Sequence, residues 1–333
     1  MQGTTTAGVE SNAPILSVEG LRITYRGRQA PLRAVDDFGL ELHAGEVIGI
    51  IGESGSGKTS AIRALIGLLP ANATVESGTI AFRGATVFDR KVDSLHEIRG
   101  GGIGMIFQSA SASINPLFRI GTQLRETLRA HGQWSTSSQG DLRRLLSRLG
   151  LQEPERVLRS YPYQLSGGML QRAAIALAVA VSPPVVIADE CTSALDVTTQ
   201  AEVVEVLQTL IEGGRGLIYV THDLLLASKI CTELIVMYAG QIVERGETRR
   251  VLEEPRHPYT RALIAAVPTW GPRRALAGID GLPPHVGADW KGCVFAPRCA
   301  HAMSACVQQD IEWTGGKRDG FRCLAPVTLL PDA

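Results

Sequence analysis

The sequence predicts an α/β fold with a parallel sheet, and three observations support this. The aliphatic run Val47 to Ile51 stops at a glycine-rich loop, and a segment of helical character follows that loop. Two later apolar runs, residues 185–190 and 217–223, end in polar side chains, as buried parallel strands do when they end at a site. Residues 120–158 space their leucines for amphipathic helices.

The other elements follow in chain order. Residues 16–25 are rich in β-branched and aliphatic side chains and predict a strand, and residues 77–84 and 102–108 predict two more. A hairpin is expected around Ala239-Gly240. The N-terminal tail, residues 1–14, lacks the features of a signal peptide and is expected to be disordered.

Composition and charge argue against nucleic-acid binding, although a local basic patch stays open, and they bear on whether the chain crosses a membrane. The 333 residues carry 33 Lys plus Arg and 33 Asp plus Glu, so no overall field attracts nucleic acid. The longest apolar run, Ala173 to Val181, is far shorter than the about 20 residues that a membrane-spanning helix requires. If this protein works in transport, another chain must therefore form the path.

The loop after the first aliphatic strand matches the full pattern GxxxxGK[ST], which binds nucleotide phosphates. Its glycines let backbone N–H groups converge on phosphate oxygens, and the start of the next helix adds positive potential. Lys58 is predicted to reach the β- and γ-phosphates, and the Thr59 hydroxyl to coordinate Mg²⁺. The predicted ATP-binding loop consists of Gly52, Glu53, Ser54, Gly55, Ser56, Gly57, Lys58 and Thr59.

Two acidic residues end the apolar run at residues 185–190. Asp189 suits a water-mediated ligand of Mg²⁺, and Glu190 suits a general base that faces the attacking water. Because the phosphate loop precedes them in the same chain, the pair predicts hydrolysis of the bound ATP.

Residues 165–172, LSGGMLQR, resemble the signature of the ABC ATPases, with Met169 in place of the usual Gln. The resemblance implies that Ser166, Gly167 and Gly168 contact the γ-phosphate of an ATP held by a partner subunit. Ser166 is also suited to cap the helix that follows it, and the two roles are compatible.

Four further residues fall where this family has functional ones. The resemblance implies that Gln108 senses Mg²⁺ and water, that Asp196 ends the D-loop of residues 193–196, and that His222 lies near the γ-phosphate. Tyr25 is expected to stack on adenine. One departure is Cys191, which replaces the usual proline after the catalytic glutamate and suggests thiol sensitivity.

Several segments resemble the oligopeptide/dipeptide importer ATPases, above all HPYTRALIAAVP at residues 257–268. The resemblance implies ATP-driven peptide uptake at the cytoplasmic face of the membrane. The implied partners are a paralogous ATPase subunit, two transmembrane permeases and, indirectly, an extracytoplasmic solute-binding protein. A nickel chelate or another small solute is the alternative cargo, and a non-transport ABC ATPase or an ATP-binding redox sensor is the alternative function.

The six cysteines are unevenly distributed, and four lie near the C-terminus. Their spacing alone indicates four thiolates on one metal centre, without a Cys-x2-Cys pair. Resemblance to the importers' C-terminal region implies a [4Fe–4S] cluster, with zinc and free or disulfide-bonded thiols as alternatives. The cysteines are Cys293, Cys299, Cys306 and Cys323.

The resemblance implies the full architecture: a P-loop NTPase of the ABC ATPase type, with α/β character, over residues 15–255. It includes a small antiparallel β subdomain and a helical subdomain at about residues 109–180. A small Cys-rich C-terminal module, residues 256–333, is expected to follow it.

Overall fold

The computed structural model describes residues 13–27, 30–193, 196–267, 278–284 and 290–327. Most of the predicted disordered tail lies outside the described residues. The described strands are β1 (Leu16–Tyr25), β2 (Leu32–Leu42), β3 (Val47–Ile51), β4 (Ala73–Phe82), β5 (Ala85–Phe88), β6 (Ile103–Ile106), β7 (Val185–Asp189), β8 (Gly216–Val220), β9 (Glu233–Tyr238), β10 (Gln241–Glu247), β11 (Thr314–Gly315) and β12 (Gly320–Phe321).

The described helices are α1 (Lys58–Ala64), α2 (Leu95–Ile98), α3 (Ala110–Ser113), α4 (Ile120–Ala130), α5 (Ser138–Arg148), α6 (Pro154–Arg159), α7 (Gly167–Val179), α8 (Val197–Glu212), α9 (Leu224–Ile230), α10 (Thr248–Glu253), α11 (Pro258–Ala265) and α12 (Ala305–Gln308). Two 3₁₀ turns cover Pro162–Gln164 and Ala296–Arg298.

The larger of the two described sheets has eight strands in the order β11-β12-β10-β9-β3-β8-β7-β6. Strand β3 lies between β9 and β8 and is parallel to both, and β7 is parallel to β8 and β6. Every residue of β3, β7 and β8 is buried, which explains why these strands are continuous apolar runs. The three strands predicted from these runs are confirmed, and their carboxyl ends lie along one edge of the sheet.

Alternate residues of these buried strands belong to different cores. Val47, Ile51, Val186 and Leu217 pack with the helices that follow β6. Their neighbours in sequence pack instead with α1 and the second sheet, for example Ile48. Successive side chains of a strand point to opposite faces, so the sheet is covered on both sides.

A second, four-stranded sheet has the order β2-β1-β4-β5 with antiparallel pairing throughout. It confirms the predicted antiparallel region. At the end of β1, Tyr25 pairs with Leu32 and Ala73. The Tyr25 hydroxyl lies 3.0 Å from the Ser60 hydroxyl oxygen, so this sheet end borders the start of α1.

Helices α3 to α7 lie within the stretch predicted to be helical, residues 109–180. Their buried aliphatic side chains, such as Leu124 and Leu146, join the core on one face of the large sheet. The predicted hairpin is also confirmed: Ala239 (φ 45°) and Gly240 (φ 88°) connect β9 to β10. Positive φ at both central residues is the geometry that suits a two-residue hairpin turn.

The described C-terminal residues do not support the expected small Cys-rich module as a unit apart from the large sheet. Strand β12 pairs with β10, opposing Phe321 to Glu244 and Gly320 to Arg245, and β11 pairs with β12. These short strands therefore extend the large sheet. Composition suggested a boundary before the C-terminal region, but β12 of that region pairs with β10 of the preceding one.

Candidate active site

The phosphate-loop sequence connects the end of β3 to the start of α1. Gly57 immediately precedes α1 with φ 99°, and a Cβ there would lie 2.2 Å from the Ala34 carbonyl oxygen. Gly52 (φ 149°) is similarly confined, because a Cβ would lie 2.1 Å from the Met237 carbonyl oxygen. Only glycine fits these two positions without a backbone shift, which explains the loop's composition.

Lys58 is the first residue of α1, and its side chain turns back under the loop. Its Nζ donates to the carbonyl oxygens of Gly52 (2.8 Å) and Glu53 (2.9 Å), and the residue is only 5% exposed. Burial lowers the pKa of Lys58, while the nearby carboxylates of Glu190, Asp189 and Glu53 oppose that shift. The result is a positive charge held among backbone oxygens beneath the loop.

Thr59 and Asp189 bring two oxygen ligands together. The Thr59 hydroxyl donates to Asp189 Oδ1 at 3.2 Å, which links the first turn of α1 to the end of β7. Asp189 is buried, and burial raises the pKa of its carboxyl group while the Thr59 hydrogen bond opposes the shift. A hydroxyl and a carboxylate beside a phosphate site are the donors that Mg²⁺ takes in proteins, so these residues fit that ion.

Glu190 follows β7 in the left-handed region, with φ 43°, which is strained for a non-glycine residue. Gln108 Nε2 donates to Glu190 Oε2 at 3.1 Å, and His222 Nδ1 lies 3.7 Å from the same oxygen. Two side chains, which follow β6 and β8, thus meet at the carboxylate of the residue that follows β7. Strained backbone that directs such a group is characteristic of functional sites.

Several of these groups, though not Asp189 or His222, line one open cleft of about 380 Å³. Of the residues predicted from the sequence, Tyr25, Ser54, Gly55, Ser56, Gly57, Lys58, Thr59, Gln108 and Glu190 line it. Leu32 and Ala34 supply an apolar wall beside Tyr25. The cleft therefore combines an apolar end with a phosphate loop and a carboxylate end, as an adenine nucleotide requires.

The signature residues lie elsewhere and do not line this cleft. Ser166 caps α7: its Oγ accepts a hydrogen bond from the Met169 N–H at 3.3 Å, so the predicted capping is confirmed. Ser166 and Gly167 are exposed, and Gly168 lies against Thr199, where a Cβ would be 2.8 Å from Cγ2. The start of α7 is thus open to an external ligand.

Asp196 caps the neighbouring helix. It accepts hydrogen bonds from the N–H and hydroxyl of Thr199, at 3.1 and 2.7 Å. Two of the four predicted D-loop residues, 194 and 195, lie outside the described residues.

Sequence reasoning missed a contact between the phosphate loop and the C-terminal region. The Arg298 guanidinium binds both carboxylate oxygens of Glu53, at 2.7 and 3.2 Å. The Tyr259 hydroxyl accepts a hydrogen bond from the Glu53 N–H at 2.8 Å. The conspicuous HPYT segment pointed to Tyr259, but no local pattern indicates a partner more than 200 residues away.

The predicted metal centre at the C-terminal cysteines is wrong. The four thiols border a cavity of only about 20 Å³, roughly the space of one water molecule. Among the described residues, no group of three or more His, Cys, Asp or Glu side chains is arranged to hold a metal ion. Both the [4Fe–4S] cluster and the zinc alternative are therefore corrected to free thiols. Spacing in sequence could not reveal how tightly the cavity closes.

A model of the ABC transporter family matches residues 35–193, and one of the oligopeptide/dipeptide transporter C-terminal region matches residues 243–306. No helix in the described parts of the chain is long and apolar enough to span a bilayer.

Curated relatives match most of the chain. It is 41% identical over 313 residues to a putative peptide import ATP-binding protein of Brucella abortus, covering 89% of this chain and 92% of that protein. It is 40% identical over 321 residues to the oligopeptide transport ATP-binding protein OppD of Escherichia coli, covering 95% and 94%. Identity to that organism's dipeptide transport ATP-binding protein DppD is 39% over 300 residues, covering 89% and 91%.

Solved structures agree on the fold. The post-hydrolysis dimer of the ATP-binding cassette MJ0796 bound to ADP and Pi has a TM-score of 0.61 at 28% identity, covering 70% of this chain and 99% of that one. The cbiO1 structure from Clostridium perfringens, part of the ABC transporter complex cbiONQ, has a TM-score of 0.60 at 25% identity, covering 73% and 92%.

Proposed function

This chain belongs to the ABC transporter family, among the ATP-binding subunits of peptide importers, and we propose that its hydrolysis of ATP drives uptake of di- or oligopeptides. Support for the enzymatic part comes from the cleft, where Lys58, Thr59, Asp189 and Glu190 converge. Support for the cargo comes from the relatives, which are named for peptide, oligopeptide and dipeptide transport.

In the proposed mechanism, the loop from Gly52 to Thr59 binds the ATP phosphates with its N–H groups, and Tyr25 stacks on adenine. Glu190 accepts the proton of the attacking water while Gln108 orients that carboxylate. Lys58 and His222 offset the negative charge that develops at the γ-phosphate. Mg²⁺, held by Thr59 and Asp189, would neutralise phosphate charge when bound.

A second ATPase subunit completes the site in this proposal. Ser166, Gly167 and Gly168 form the start of α7, where Ser166 and Gly167 are exposed, and α7 has no acidic residue in its first turn. Such a terminus favours an anion, here the γ-phosphate of ATP on the partner subunit. Asp196 would lie at the same interface. The dimeric state of MJ0796 supports this arrangement, and we propose a diverged paralogue as the partner.

The remaining partners are two membrane permeases and, indirectly, an extracytoplasmic solute-binding protein. The chain would work at the cytoplasmic face of the membrane. A nickel chelate or another small solute is a less favoured cargo, because the relatives are named for peptides. A non-transport role is less favoured because residues 243–306 match the oligopeptide/dipeptide transporter C-terminal region.

Uptake in cells tests the proposal. The gene is deleted and the strain is complemented with the wild-type chain or with Glu190→Gln, and uptake of a labelled tripeptide is measured beside that of a nickel chelate. We expect the wild type alone to restore peptide uptake. Restoration of nickel-chelate uptake without peptide uptake would refute the cargo, and unchanged uptake of both after deletion would refute the transport role.

A further inference from the structure

Arg298 is held by a complete set of hydrogen bonds. Its guanidinium donates to both oxygens of Glu53, to the Tyr238 hydroxyl at 3.1 Å, and to the carbonyl oxygens of Ile279 and Asp280, each at 2.8 Å. These contacts use all five N–H groups that an arginine has. The side chain is 5% exposed, and the hydrogen bond to Glu53 raises the pKa of Arg298. A buried, fully bonded guanidinium has one well-defined position.

Tyr259 holds the same loop residue by its backbone. The tyrosine is fully buried in α11, with its ring centroid 4.5 Å from that of Tyr238 and 5.4 Å from that of Phe295. Its hydroxyl accepts the Glu53 N–H, so that N–H is not aimed at the cleft. Glu53 is therefore fixed at both its backbone and its side chain by residues from the C-terminal region.

The contacts of Arg298 and Tyr259 with Glu53 bear on nucleotide binding because Glu53 lies in the phosphate loop. The same residue offers its carbonyl oxygen to Lys58 Nζ at 2.9 Å, so a movement of Glu53 moves the partner of the phosphate-binding lysine. Its carboxylate is also a negative charge in a loop that must accept an anion. Arg298 pairs that charge in bidentate geometry, which both orients and neutralises it.

We propose that Arg298 and Tyr259 are positioning residues that hold the phosphate loop in its ATP-binding shape and screen ATP from the Glu53 carboxylate. This inference rests on the proposed role of the loop from Gly52 to Thr59. It assigns the C-terminal region an effect on ATP affinity that is transmitted through Glu53. Neither side chain lines the cleft, so both act through Glu53.

The test measures the Kd for ATP and the kcat of hydrolysis in the complex with the partner subunits. Arg298→Ala is expected to raise the Kd on the order of tenfold, because displaced binding groups lose affinity steeply. At saturating ATP its kcat should change little, since Arg298 touches no reacting atom. Tyr259→Phe keeps the ring and removes the acceptor, so we expect a rise of about threefold, the size of one hydrogen bond.

Adding Glu53→Gln to Arg298→Ala separates charge from packing. If Arg298 acts by screening the Glu53 carboxylate, the double variant binds ATP several-fold more tightly than Arg298→Ala. Arg298→Lys should recover part of the affinity, because it keeps the charge without the bidentate geometry. Arg256→Ala is the matched control: it breaks another bidentate pair of the same region, with Asp319, and should leave the Kd unchanged.

An unchanged Kd in Arg298→Ala that remains folded would overturn the inference. So would a loss in Arg298→Ala that Glu53→Gln fails to relieve, or an equal loss in Arg256→Ala. Lys58→Ala provides the separation from the proposed function. If Lys58→Ala leaves the ATP Kd unchanged, the loop is not the phosphate site and the proposed function fails. If Lys58→Ala raises the Kd tenfold or more while Arg298→Ala leaves it unchanged, only this inference fails.

Discussion

The cleft around Lys58 and the exposed start of α7 are both proposed to contact ATP phosphates, yet they are built differently. In the cleft, the polar groups are already paired with one another: Lys58 with loop carbonyls, Thr59 with Asp189, and Gln108 with Glu190. At the start of α7, Ser166 caps its own helix and the adjacent glycine faces solvent. The cleft is preorganised within one chain, whereas the helix start has unused binding capacity.

This difference indicates that the cleft and the start of α7 have different roles in ATP binding and hydrolysis. A cleft whose groups are fixed before the ligand arrives can bind ATP without a partner. The uncovered helix terminus contributes only when another surface brings an anion to it. ATP binding is therefore expected not to require the start of α7, whereas hydrolysis is expected to require both regions.

The largest effect is expected for Glu190→Gln. Glutamine preserves the side-chain shape but cannot act as a base, so kcat should fall by about 10²–10⁴-fold while ATP binding persists. The closed dimer should become more stable because bound ATP is not consumed. Steady-state hydrolysis and ATP titration of the purified complex measure this, with Glu205→Gln on the exposed face of α8 as the control. Near-normal turnover in Glu190→Gln would show that Glu190 is not the general base.

Lys58→Ala should act on binding. The lysine is the buried positive charge beneath the loop, and a charge-assisted hydrogen bond contributes about 1.5–3 kcal/mol, roughly a ten- to hundredfold change in ATP Kd. The two carbonyl oxygens it now holds would lose their donor, so the loop should also become less ordered. ATP titration of the chain without its partner checks this, because the cleft is expected to bind alone. Unchanged affinity would contradict the preorganised cleft.

Substitutions of Ser166 test the start of α7, and their expected effect on hydrolysis is smaller. Ser166→Ala loses the cap and the proposed phosphate contact, so hydrolysis should slow about tenfold, while the isolated chain's ATP Kd stays unchanged. Ser166→Asp keeps a good cap but places a negative charge where the γ-phosphate is expected. It should therefore restore stability and slow hydrolysis further. If Asp restored hydrolysis to the Ser level, Ser166 would be only a helix cap.

The two regions also differ in how far the sequence predicted them. The motif from Gly52 to Thr59 predicted the strand–loop–helix unit correctly, because a local backbone shape requires those glycines at those positions. The cap at Ser166 was likewise predicted from local chemistry. The hydrogen bonds between Arg298 and Glu53 were not predicted, because they join residues that are 245 positions apart in the sequence. Tertiary contacts of this kind leave no periodic signal.

For the C-terminal cysteines, the sequence predicted that the side chains are close together but did not predict the kind of site that they form. Their clustering in sequence did correspond to a shared cavity, lined by Cys293, Cys299, Cys306 and Cys323. What sequence could not supply was the volume and the protonation state. Burial raises the pKa of Cys323 to about 11, so this thiol is neutral at physiological pH. Proximity of potential ligands was therefore predicted, but not the geometry that ligation needs, which the described residues do not provide.

Cys191 gives the smallest expected effect and tests whether the cleft is closed behind Glu190. The sequence suggested a reactive thiol there, but the side chain is 2% exposed and burial raises its pKa to about 12. At pH 8 a thiol with that pKa is ionised to roughly one part in 10⁴, so iodoacetamide should leave Cys191 unlabelled and ATP hydrolysis unchanged. Peptide mapping after alkylation of native and unfolded protein separates this site from the half-buried Cys299 and Cys323. Labelling of native Cys191 together with loss of hydrolysis would show that the back of the cleft opens, and its groups would then not be fixed before ATP binds.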